Sequence, residues 1–300
     1  MSTFSTPINE WHFKKLHMKK LSFLIIALLF STMIFSQVKN KPYRLCEGFE
    51  ASFSPDGKYI AFRQDGNIWI LNLETKAKEK ITTLKWDVMG SWSPDGKSIV
   101  FQSWGTLETS PHYFSIWVID INGSNQHQFY PKAEGPENDS DPFWSPDGKK
   151  IAWTHGIRLW IADSDGKNAK PLTNDPAHEY EYILDWSKDS KTILYMRTDF
   201  FDEEATGSQI CKVDTNSQNQ QRIELLKGAA SARYAEDSKS LYFIKSDNCI
   251  SKYDFATQEV LKNIIIIDID EVITSFRFSP DFKSLSFTYD YDYIYIMKIK

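Results

Sequence analysis

One short string, Ser54-Pro55-Asp56-Gly57-Lys58, returns along the chain and restricts it to a repeat architecture. It recurs unchanged as Ser93 to Lys97 and Ser145 to Lys149. Altered copies are Ser187-Lys188-Asp189-Ser190-Lys191, Ala235-Glu236-Asp237-Ser238-Lys239 and Ser279-Pro280-Asp281-Phe282-Lys283. Measured at the second residue of each copy, the intervals are 39, 52, 42, 48 and 44 residues. An aromatic precedes every copy: Phe53, Trp92, Trp144, Trp186, Tyr234 and Phe278. An apolar run follows, such as Ile60-Ala61-Phe62 or Ile151-Ala152-Trp153, and after a short loop comes a second run, such as Ile68-Trp69-Ile70-Leu71. Each unit therefore reads as strand, tight turn, strand, loop, strand. The proline fixes φ in the turn and Asp-Gly supplies its tight geometry. Six such units, rich in aromatic β-formers, predict an all-β, six-bladed β-propeller of four-stranded antiparallel blades.

The sixth unit runs out of sequence after its third strand. An open edge in a ring of sheets invites aggregation. The segment Pro42-Tyr43-Arg44-Leu45-Cys46 is the spare strand, expected to close the ring by pairing with the strand around Ile294 to Met297. Residues 37 to 300 are then the propeller, with no room for a second domain, and a monomer is expected.

The leader differs in kind. Lys19 and Lys20 precede an apolar run from Leu21 to Phe35, and Ser36-Gln37 follows. Residues 1 to 36 read as a secretory signal peptide starting at Met18, too short in its apolar part to span a membrane. The expected location is periplasmic or secreted, with no membrane span in the mature chain. Without the leader the chain has 31 basic and 39 acidic residues, a net charge of −8, which disfavours nucleic acid as a partner. The three cysteines, Cys46, Cys211 and Cys249, fall out of register on equivalent strands and are expected as buried free thiols.

In such a ring the A-B and C-D turns share one face, and the B-C and D-A loops share the other. The near-identical turns make the first face a scaffold. The second receives the irregular stretches Trp104 to Phe114, Tyr130 to Asp141, Asn174 to Tyr182 and Thr198 to Gly207. Long loops on a rigid frame carry binding. Their aromatics and acids, foremost Trp104, Tyr113, Phe114, Tyr180, Phe200, Phe201, Glu203 and Glu204, suit a protein or peptide partner of basic character. Asp87, Asp139 and Glu181 stand six residues before the motif serine in blades 2, 3 and 4, with His112, His155 and His178 in the same blades. Imidazoles and carboxylates converging there would suit a divalent cation. No nucleophile elbow or phosphate loop occurs, so no catalytic residue is assigned.

The repeat resembles that of the TolB propellers of the periplasm and is similar to propeller repeats of prolyl-oligopeptidase relatives, over residues 42 to 300. The resemblance implies the fold and an envelope protein or peptide as partner. It departs from both groups in lacking the N-terminal α/β domain of the first and the hydrolase domain of the second. Some pectin-degrading lyases have similar repeats with a His-rich metal site, which implies the alternative of a metal-dependent carbohydrate-active enzyme using His112, His155 and His178.

Overall fold

A computed structural model describes residues 41–84, 86–104, 114–129, 138–174, 179–199, 208–216, 220–223, 226–245, 247–269, 272–273, 275–288 and 292–299. After β1 (Tyr43–Glu47), blade 1 comprises β2 (Phe49–Phe53), β3 (Tyr59–Gln64), β4 (Asn67–Asn72) and β5 (Lys78–Lys80). Blade 2 comprises β6 (Asp87–Trp92), β7 (Ser98–Ser103), β8 (Ser115–Asp120) and β9 (His127–Gln128). Blade 3 comprises β10 (Asp139–Trp144), β11 (Lys150–His155), β12 (Arg158–Asp163) and β13 (Lys170–Pro171). Blade 4 comprises β14 (Glu179–Trp186), β15 (Thr192–Asp199), β16 (Gln209–Asp214) and β17 (Gln220–Arg222). Blade 5 comprises β18 (Ser231–Tyr234), β19 (Ser240–Ile244), β20 (Cys249–Asp254) and β21 (Val260–Ile266). Blade 6 holds β22 (Ser275–Phe278), β23 (Ser284–Thr288) and β24 (Tyr293–Lys298), and β1 is its outer strand. The inner strands β2, β6, β10, β14, β18 and β22 touch in succession, and β22 returns to β2. The fold is a six-bladed propeller, closed as the sequence predicts: Tyr43 pairs with Ile296 and Glu47 with Tyr293.

Blade-on-blade stacking explains why the middle strands read as unbroken apolar runs. Each is covered on both faces, so Ile60, Ala61 and Phe62 are all fully buried, whereas outer β5 is exposed throughout. Six apolar clusters result, one at each blade interface. At the blade 2–3 boundary Gly90 permits close approach, since a Cβ there would stand 2.4 Å from the Val100 carbonyl oxygen and 2.6 Å from that of Pro142.

The motif is a hydrogen-bonded turn. Ser54 Oγ donates to Asp56 Oδ1 at 2.7 Å and accepts from Tyr59 N at 3.0 Å, while Lys58 N donates to Asp56 Oδ1 at 3.1 Å. Neighbouring turns also touch. Gly57, Gly96 and Gly148 abut Pro280, Pro55 and Pro94 of the preceding blade. Serine replaces glycine in blades 4 and 5, keeping a positive φ of 59° at Ser190 and 54° at Ser238. Its hydroxyl accepts a backbone hydrogen bond from the preceding turn: Asp147 N to Ser190 Oγ at 3.0 Å, and Lys188 N to Ser238 Oγ at 2.8 Å. The three cysteines are free, but only Cys211 is fully buried; Cys46 and Cys249 are half-buried, because Cys46 lies on the outer strand β1 and Cys249 is the first residue of β20, whereas Cys211 sits inside β16.

Candidate functional site

Charged side chains reach the central channel from four inner strands. Bulges deliver two of them. In β2 the register shifts between Phe49 and Ser52, with Glu50 at φ 56°; in β10 it shifts between Ser140 and Phe143, with Asp141 at φ 49°. A non-glycine residue in this region costs about 1–3 kcal/mol and persists only where its surroundings hold it. Here they do. Asp141 N donates to Gln102 Oε1 at 2.9 Å, and Glu50 Oε2 accepts from Met89 N at 3.3 Å, so each bulge is tied to blade 2. Asp185 of β14 accepts from Trp186 N at 2.9 Å and from Tyr234 N at 2.8 Å.

Arg277 of β22 faces these carboxylates, its guanidinium 5.3 Å from the centre of the Phe143 ring. Its Nη1 is shielded from solvent and has no hydrogen-bond partner among the described residues. Burial lowers its pKa to about 10 despite the opposing pull of Asp185, Asp141 and Glu50. Burial also raises Asp185 to about 6 and pushes Glu50 and Asp141 up. Glu50, Asp141 and Arg277 line a cavity of about 150 Å³. The cavity opens to solvent at Glu50, whose side chain keeps 38% of its surface accessible. Arg63 Nη1 stands 3.8 Å from Glu50 Oε1, so the three carboxylates are met by two guanidinium groups.

The carboxylates expected at the channel mouth are instead fastened between strands. Asp87, Asp139 and Glu181 are wholly buried. Asp87 Oδ1 accepts from Ser103 Oγ at 2.5 Å, and Asp139 Oδ1 accepts from Trp153 Nε1 at 3.2 Å. Glu181 Oε2 accepts from Thr173 Oγ1 of the preceding blade, with Arg197 Nε 3.8 Å from its other oxygen. His155 Nδ1 lies 2.7 Å from Asp139 Oδ1, and its ring is edge-on to Trp160 at 4.8 Å. Among the described residues no three His, Cys, Asp or Glu side chains form a metal-holding group. His112 and His178 lie outside the described residues.

On the B-C/D-A face, Trp104 and Phe114 meet edge-on at 5.0 Å, both half-buried at the base of the blade 2 loop. Tyr180 is half-buried too, its hydroxyl 2.8 Å from Ser140 Oγ. Tyr113, Phe200, Phe201, Glu203 and Glu204 lie outside the described residues. Other apolar groups are displayed more fully there: Trp86 is 61% exposed, Val272 49% and Ile157 42%. Trp86 also has a φ of 69°, unusual for a bulky side chain.

Fold and channel together define a six-bladed propeller whose bore carries both carboxylates and guanidinium groups. Among solved structures, the chain is similar to an oligogalacturonate lyase in complex with manganese (14% identity, TM-score 0.61, covering 84% of this chain and 77% of that one). An oligogalacturonate lyase from Vibrio parahaemolyticus is alike at 15% identity and TM-score 0.61, with the same coverage of both chains. TolB from Acinetobacter baumannii aligns at 16% identity and TM-score 0.55, covering 83% of this chain and 62% of that one, so the chain spans less than two thirds of TolB. No family profile and no curated protein matches the sequence.

Proposed function

We propose that this is an exported, periplasmic or secreted, non-enzymatic propeller that binds a protein or peptide of basic character on its B-C/D-A face. The reading rests on the display of apolar surface. Of five large hydrophobic residues exposed among the described residues, Trp86, Ile157 and Val272 belong to loops of that face. Exposed apolar groups make a docking surface, and the acidic residues in the loop sequences of that face account for the partner's basic character. The test is retention of envelope proteins on the immobilised chain, compared with a Trp86→Ala, Ile157→Asp, Val272→Asp variant. The variant should lose at least 10-fold of the bound partner, about 1.4 kcal/mol; equal recovery refutes the reading.

Likeness to the manganese-bound lyase favours a second reading, a metal-dependent carbohydrate-active enzyme. Among the described residues no three His, Cys, Asp or Glu side chains form a metal-holding group, and His178 lies outside them. Elemental analysis of the protein purified without chelator decides: stoichiometric transition metal, lost in His155→Ala or His178→Ala, establishes this reading, and its absence removes it.

A further inference from the structure

The departures of blades 4 and 5 from the repeat gather in one place, on the face opposite to the proposed partner surface. A cleft of about 570 Å³ opens between these blades, lined by Lys188, Lys212, Lys239, Tyr234 and Phe255. Lys188 occupies the position that is proline in the turns at Pro55, Pro94, Pro146 and Pro280. Lys239 departs in another way. The motif lysine of every other blade lies 3.5–3.9 Å from the aspartate of its own turn. Lys239 makes no such pair with Asp237, and Ala235 has removed the serine hydroxyl that holds the aspartate elsewhere. Lys212 projects from β16 over the Phe255 ring at 4.6 Å, half-buried, and burial pushes its ammonium pKa down.

None of these three lysines is in an ion pair with a described carboxylate. The cleft also holds two aspartates, both engaged locally. Asp189 accepts from Ser187 Oγ at 2.7 Å and pairs with Lys191 at 3.9 Å; Asp237 accepts from Lys239 N at 2.9 Å. Tyr234 forms a rigid wall, its hydroxyl 2.8 Å from Thr192 Oγ1 and its ring 6.0 Å from that of Phe255. Unpaired ammonium groups beside a fixed aromatic wall have the charge complement of an anion, and a cleft of this volume takes a small molecule.

We infer that the blade 4–5 cleft is a binding site for a small polyanion carrying two or more carboxylate or phosphate groups, held by Lys188, Lys212 and Lys239. Calorimetric titration of the full chain with citrate and, separately, with inorganic pyrophosphate at low salt tests it. At least one should bind with a dissociation constant below about 1 mM and weaken as salt screens the charges. Binding of citrate alone assigns carboxylates, and of pyrophosphate alone phosphates. The Lys188→Gln, Lys212→Gln, Lys239→Gln variant should bind at least about 10-fold more weakly. Lys58→Gln, Lys97→Gln, Lys283→Gln, which removes three paired motif lysines, should bind as the parent does. Should the first triple variant not fold, Lys188→Gln alone, at an exposed position, replaces it with a smaller loss. Equal weakening in the control variant, no binding of either anion at about 5 mM, or binding of an acidic peptide but neither small anion overturns the assignment.

Discussion

The molecule keeps two populations of carboxylates under opposite electrostatic regimes. The turn aspartates Asp56, Asp95, Asp189 and Asp281 are held below the usual range, chiefly by the hydrogen bond from the motif serine. The channel carboxylates Glu50, Asp141 and Asp185 are pushed above it by burial. The first group recurs by repetition and steadies the fold. The second appears at single blades, on strained backbone in two cases, and works against the folded state when ionised. Such a cost is carried where a scaffold has been adapted to a task.

Removing the cation facing the second group gives the largest expected effect. Arg277→Met leaves three channel carboxylates without it. Breaking a dry ion pair costs about 3–5 kcal/mol; Arg277 acts on these carboxylates without a close ion pair, so the expected loss is smaller, on the order of 1–3 kcal/mol at pH 7. Urea unfolding at pH 7 and pH 5 should show the smaller loss at pH 5, where protonation relieves the repulsion. A loss independent of pH would mean that Arg277 acts by packing alone.

Next in size is the pH response of Asp185. Its pKa rises from 3.8 unfolded to about 6 folded, so the native state holds the proton more tightly. Its contribution to stability is present below pH 4 and lost as pH rises through 6. Thermal melts should show that Asp185→Asn flattens this decline between pH 4 and 6; an unchanged slope would place Asp185 with ordinary surface acids.

The smallest effect belongs to one turn. Ser93→Ala deletes the leading cause of the lowered pKa at Asp95 and should cost about 1 kcal/mol at pH 7. The turn's electrostatic contribution has the opposite sign to that of Asp185: present above 3.8, lost as pH falls through the lower folded pKa. The difference between variant and parent in chemical denaturation should therefore shrink below pH 4, and a constant difference would separate the serine from the aspartate.

The ring and its closure were legible because repetition reports on itself. Six aromatic-turn-apolar units predict blades, and a missing outer strand predicts the one that supplies it. The channel was not legible, for a geometric reason. Counting in twos from the motif puts Asp139, Asp141 and Phe143 on one face, but the bulge brings Phe143 onto the face of Ser140, opposite Ala152 rather than Ile151. Spacing alone therefore pointed to Asp139 as a ligand, while the side chain that reaches the cavity is Asp141. Glu50 is hidden by the same device in β2. The altered motifs of blades 4 and 5 looked like decay in the sequence. Their serines preserve the contact between turns by another bond, and their lysines line a cleft.

The pairing of Tyr43 with Ile296 bears on the order of folding. Each blade can form from local hairpins, but this contact closes a loop containing nearly the whole described chain, and its entropy is repaid only when the blade 1–6 interface forms with it. Closure is expected late, after the blades have stacked as an open arc with two bare faces. Until the clasp engages, those faces are free to stack on the arc of another molecule, so refolding yield should fall as protein concentration rises even though the finished ring leaves no such interface uncovered.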